Sequence, residues 1–254
     1  LIDRERENAE AGIHASIIAK MNSLCDVPVM EVLCDAGRAG VEIHLIVRGI
    51  CSLLPGKKHG SENVHVHSIV GRHLEHARAF VFENGGDREV YLSSADWMPR
   101  NLYRRVELMF PVKDERCRRA VENVLRLQLM DNEKCRVRLP GGAYVLPELN
   151  GAEEINAQEI MLRDIDGVFD GTALTKVRAE APAETAEGQE RMRPVSERSS
   201  AAFEDAARLA GMKCPGIAMP RRCKHSQHRS GAPPAPVSAL LSGVLTKAGI
   251  FGVL

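Results

Sequence analysis

Apolar and polar positions alternate along the first two thirds of the chain in blocks that predict strands and helices in turn. Residues 3–11 are charged and helix-compatible, ending at Gly12. Residues 13–19 predict a buried strand, and the polar stretch 20–26 the loop at its C-terminal end. Val29, Val32, Leu33 and Ala36 recur at helical spacing within 28–39, a helix stopped by Gly40. Residues 41–47 alternate and then run apolar, a second strand, and such a strand–helix–strand unit implies a parallel pair with a crossover helix. A polar loop over 55–63 follows, then strands at 64–70, 77–83, 90–93 and 106–112, with a turn at Gly85, Gly86 and Asp87. Residues 114–130 predict a helix with a broad apolar face (Val121, Val124, Leu125, Leu127, Leu129), and 135–139 with 144–146 a final hairpin. The expected fold class is α/β, a mixed sheet flanked by helices, with a largely irregular C-terminal tail.

That tail begins where the pattern fades, near residue 165. Residues 177–207 are rich in Ala, Glu, Arg, Ser and Pro with little apolar periodicity. Residues 236–254 are apolar again, interrupted by Lys247, and just long enough to cross a bilayer. The expected division is a domain over 1–165, a polar disordered linker over 166–235 and an apolar helix over 236–254.

Placing the elements also places chemistry. In open α/β sheets ligands lie off the C-terminal strand ends. Lys20 and Asn22 fall there after the first strand, and Arg48 after the second. A guanidinium in that position can fork onto a phosphate; its bland alternative is a salt-bridged or snorkelling arginine. Lys20 and Asn22 read either as a phosphate-binding cation with an orienting amide or as exposed loop residues. On an extended strand His76 and Arg78 would project together. An imidazole beside a permanent cation suits phosphoryl chemistry. Ser93, Ser94 and Asp96 either cap the following segment or hold the His76 ring. Arg100, Arg104 and Arg105 either line a polyanion's path or form a solvated basic face. His65 and His67 share a strand face without further ligands at metal spacing, and Cys214, Cys223, His225 and His228 fit no zinc pattern, so no metal site is expected among them.

Charge narrows the partners little: 34 basic and 34 acidic residues balance, giving no general argument for nucleic acid or an anionic membrane. The seven cysteines form no CxxC pair, as expected of reduced thiols in the cytosol. No secretory pattern opens the sequence, and its first residues, beginning Leu1-Ile2-Asp3 without methionine, read as the inside of a longer protein.

Ordered sequence blocks are more specific than any single residue. Residues 18–24 (IAKMNSL), 45–51 (LIVRGIC), 68–76 (SIVGRHLEH), 82–87 (FENGGD) and 91–101 (YLSSADWMPRN) together closely resemble the C-terminal catalytic domain of bacterial polyphosphate kinases, up to a closing segment at 155–161. These enzymes have a phospholipase-D-like fold and transfer phosphate reversibly between ATP and inorganic polyphosphate. The resemblance implies that His76 sits in the ATP pocket and assists γ-phosphate transfer, and that Arg48 contacts ATP. It implies further that the phosphohistidine intermediate forms on another histidine, in a preceding domain. Mg²⁺ would have its ligands outside this chain, and the full-length enzyme would be a homo-oligomer. A fragment of this kind is expected to be inactive alone. Two rival readings stand beside this one. A phospholipase-D-like phosphodiesterase would want lysine at 78 and asparagine at 96, where this chain has Arg78 and Asp96. A membrane-associated segment rests on residues 236–254, which resemble part of a helix in antiporter-like subunits of proton-pumping NADH dehydrogenases.

Overall fold

The protein is described here by a computed structural model covering residues 1–147, 149 and 153–180. The apolar segment 236–254 and the cluster of Cys214, Cys223, His225 and His228 lie outside the described residues. Among the described residues no helix is long and apolar enough to cross a membrane.

Helix α1 (Ile2–Glu10) leads into strand β1 (Ser16–Met21). Helix α2 (Val27–Ala39) starts where the Asp26 carboxylate accepts the Val29 N–H at 3.2 Å, with Pro28 in its first turn. It returns the chain to β2 (Glu42–Val47), parallel to β1 from Ser16↔Glu42 to Met21↔Val47. Strand β3 (Val64–Ile69) continues the parallel set. Then come β4 (Ala79–Phe82), β5 (Glu89–Ser93), helix α3 (Pro99–Arg104) and β6 (Met109–Pro111). Helix α4 (Glu115–Met130) is capped by the Asp114 side chain on the Cys117 N–H at 2.9 Å. The hairpin β7 (Cys135–Arg138) and β8 (Tyr144–Val145) precedes α5 (Ala157–Arg163), α6 (Ile165–Asp170) and α7 (Thr172–Glu180).

One eight-stranded mixed sheet results, in the order β6-β5-β4-β1-β2-β3-β7-β8. Ile17, Ala19 and Met21 face α1 and α2, packing with Leu33, Ala36 and Phe80, while Ile18 and Ile46 face α4 through Val121 and Leu125. Because β3 and β4 are separated by β2 and β1, the connection 70–78 must cross the C-terminal ends of those two strands. This crossing puts His76 over Lys20, Asn22 and Arg48.

The structure corrects three expectations. Strand β1 extends through Lys20 and Met21, so Lys20 is a buried strand residue and not a loop residue. Its register with Ile46 and Ala79 on the two neighbouring strands keeps it paired. Strand β4 starts at Ala79, so His76 and Arg78 precede it and do not share a strand face. Ordered helices continue past residue 165: Val168, Ala173 and Leu174 pack with Leu127 and Ala157 into a core of their own.

Candidate active site

Asn22 is the hub of the corner formed by the β1 and β2 ends. Its backbone N–H donates to Asp96 Oδ1 at 2.8 Å, and its side-chain oxygen accepts Arg48 Nε at 3.0 Å. Gly49 donates its N–H to the Asn22 carbonyl at 2.8 Å, an approach so close that an added Cβ would sit 2.9 Å from that oxygen. Arg48 Nη2 also reaches the Asn22 amide oxygen and lies 3.5 Å from Nδ1 of His76. Its Nη1 is buried and has no hydrogen-bond partner among the described residues. A buried, unsatisfied charged donor is costly, and an incoming anionic oxygen would relieve it. Arg48 also lines an open depression of about 480 Å³, together with Ile69 of β3 and residues 70–74 of the crossing segment.

Arg78 is spent differently. Its Nε and Nη2 fork onto the two Asp96 oxygens at 2.9 Å each, and its Nη1 donates to the His76 carbonyl at 2.8 Å. Arg78 and Asp96 are only 6% and 5% exposed, so this is a closed, bidentate ion pair. Burial alone would push the Asp96 carboxyl up, but the Arg78 guanidinium and the Asn22 N–H outweigh it and hold it below the ordinary carboxylate range. Removing one partner of such a pair costs about 3–5 kcal/mol, because the other is left charged and buried. Arg48 thus places a cation 3.5 Å from the His76 ring, and Arg78 holds the backbone carbonyl of the same residue.

Lys20 is closed in as well. Its ammonium makes an ion pair with Glu75 and donates to Gln128 Oε1 at 2.8 Å. Burial lowers its pKa, against the opposing pull of Glu75. The Ser93 hydroxyl donates to the Leu108 carbonyl at 3.0 Å and the Ser94 hydroxyl bonds Glu107. The corner thus joins Asn22, Arg48, His76, Arg78 and Asp96 in one network and sets Lys20 one layer below. Glu75, Gln128 and Gln158, which complete that layer, went unnoticed in the sequence. Gln158 does fall inside the closing block at 155–161, the one signal that could have marked it.

The family described as polyphosphate kinase C-terminal domain 2 matches residues 1–158. A polyphosphate kinase of Halalkalibacterium halodurans is 44% identical over 169 residues, covering 66% of this chain and 24% of its own length. One from Bacillus anthracis is 46% identical over 159 residues, covering 62% of this chain and 22% of its own length. The crystal structure of polyphosphate kinase from Porphyromonas gingivalis superposes with a TM-score of 0.64 at 40% identity, over 67% of this chain and 26% of that one. The chain therefore spans about a quarter or less of the length of these relatives.

Proposed function

Because the chain belongs to the polyphosphate kinase family, we propose that it forms the nucleotide-holding part of an ATP–polyphosphate phosphotransferase. The observation that carries this reading is the buried Nη1 of Arg48, without a hydrogen-bond partner among the described residues, on a guanidinium whose Nη2 lies 3.5 Å from His76 at the C-terminal ends of two parallel strands. Phosphoryl transfer needs positioning and neutralisation of the equatorial oxygens more than covalent work by the protein. Arg48 would hold the terminal phosphate through Nη1, while the Asn22 amide fixes the plane of its guanidinium. His76 would stabilise the moving phosphoryl group or shuttle a proton. The bond from the γ-phosphorus to its bridging oxygen breaks, leaving ADP. The phosphoryl group passes to a histidine nitrogen in a part of the enzyme these residues do not include, and from there to a terminal polyphosphate oxygen.

Among the described residues no group of three or more His, Cys, Asp or Glu side chains could hold a metal ion. Asp96 and Glu75 are committed to Arg78 and Lys20. A Mg²⁺ carried in with the nucleotide would therefore find both of these carboxylates already paired.

The test is transfer from γ-labelled ATP, with this chain alone or mixed with the remainder of a full-length relative that lacks the matching domain. Label is expected in polyphosphate only in the mixture, and His76→Ala should abolish it. Polyphosphate made by the chain alone would overturn the division of labour. Phosphodiester cleavage without phosphate transfer would favour the phospholipase-D-like reading instead.

A further inference from the structure

The segment that carries His76 is not tied to the sheet by strand pairing, yet it is held at several points from below. Gln158 of α5 acts toward His73 as a neighbouring strand would: it accepts the His73 N–H at 3.0 Å and donates to the His73 carbonyl at 2.9 Å. The same amide nitrogen lies 2.8 Å from Glu75 Oε1. The other Glu75 oxygen takes the Lys20 ammonium and the Gln128 amide. Gly71 passes so close to Gln158 that an added Cβ would collide with its side-chain amide. Three elements that are far apart in sequence (β1, α4 and α5) therefore converge on one carboxylate, and that carboxylate precedes His76 by a single residue.

We propose that Lys20, Gln128 and Gln158 form a brace on Glu75 that sets the position of His76 against Arg48. Lys20 is then a positioning residue and not a phosphate ligand. The proposal rests on the reading of His76 and Arg48 as the nucleotide site. Its physical basis is the cost of disorder. A free loop samples many backbone states, and binding must then supply the ordering that the brace supplies in advance. The ammonium of Lys20 is buried among protein partners, so its charge is already spent before any ligand arrives.

The two roles for Lys20 separate in a double substitution. Lys20→Met leaves Glu75 buried and unpaired, whereas Lys20→Met with Glu75→Gln puts a neutral amide in the same place, still able to bond Gln128 and Gln158. In the full 254-residue chain, Lys20→Met is expected to weaken ATP binding by about tenfold in calorimetry. The double variant should return to within about threefold of the parent. Amide hydrogen exchange at His73 should lose its protection in the single variant and regain it in the double. Gln158→Leu and Gly71→Ala, which act from the other end of the brace, should free the same amide. Arg88→Gln, which breaks the ion pairs to Glu83 and Glu122 far from this corner, should lower stability and leave ATP affinity alone.

If the double variant recovers His73 protection but still binds ATP as weakly as Lys20→Met, Lys20 is a phosphate ligand and the brace proposal fails. It fails equally if Gln158→Leu changes neither protection nor affinity. Absence of ATP binding by the parent chain would remove the nucleotide reading alone, and the exchange data would still decide whether the brace orders the segment.

Discussion

Arg48 and Arg78 carry the same charge into the same corner of the sheet and end in opposite electrostatic states. Arg78 is matched by a carboxylate through two parallel bonds, while Arg48 leans on a neutral amide and keeps a donor unused. Spacing alone pointed to Arg78 as the cation beside the imidazole, because nothing local reveals that Asp96, eighteen positions on, claims it. A second cluster makes a different point about buried charge. On β2 and β3, His44 Nδ1 lies 3.3 Å from His67 Nε2, and the His44 and His65 rings stack with centroids 5.0 Å apart. Burial, and then the neighbouring imidazoles, push the His67 pKa down from 6.5 to about 3. A histidine depressed in the folded state binds its proton more readily when unfolded. Its contribution is complete above about pH 6.5 and is lost as pH falls toward 3. Urea unfolding is expected to show a lower midpoint at pH 5 than at pH 7.5, with His67→Leu shrinking the difference. Equal midpoints for the parent at both values would contradict this account.

At the scale of elements, α4 does more than its apolar stripe announced. The five apolar residues read as one broad face divide into two. Val121 and Leu125, one turn apart, pack on the sheet, and Val124 and Leu127 receive the helices α5 to α7. Gln128 of the same helix reaches Glu75. One helix thus links the sheet core, the C-terminal helices and the segment carrying His76. Leu125→Ala should cost about 2–5 kcal/mol in urea unfolding, and Leu127→Ala should cost a similar amount although it touches the sheet core less. If Leu127→Ala is nearly neutral, the C-terminal helices contribute little to the fold. The late start of β4 has a cause on the same scale. Glu75 is drawn down onto Lys20, so the chain joins the sheet only at Ala79, opposite Lys20 and Leu92.

For the whole molecule, most elements were legible because their signals are local: the alternation in β2, the helical spacing and Gly40 stop of α2, and the Gly85–Gly86 turn between β4 and β5. The strand-end positions of Asn22 and Arg48 were legible, since they follow from the parallel unit, whereas His76 was expected on a strand that it only precedes. The partners of Lys20 and Arg78 were not legible, because they are set by contacts across the fold. The edge near residue 165 also misled, since α6 and α7 are short and their apolar residues gain meaning only against Leu127. A chain cut after residue 165 is expected to melt roughly 5 °C or more below one cut after residue 180. Equal melting temperatures would restore the earlier boundary.

The crossing of the strand ends by residues 70–78 has a consequence in time as well as space. Lys20 meets Gln128 across 108 positions, and His73 meets Gln158 across 85. Contacts of such high order form late, since loop closure must come before they stabilise anything. During synthesis the sheet strands can pair before Gln158 has left the ribosome, but the segment over their ends cannot settle. The order of the segment that carries His76 should therefore be established late as these residues fold, and lost early when they begin to open.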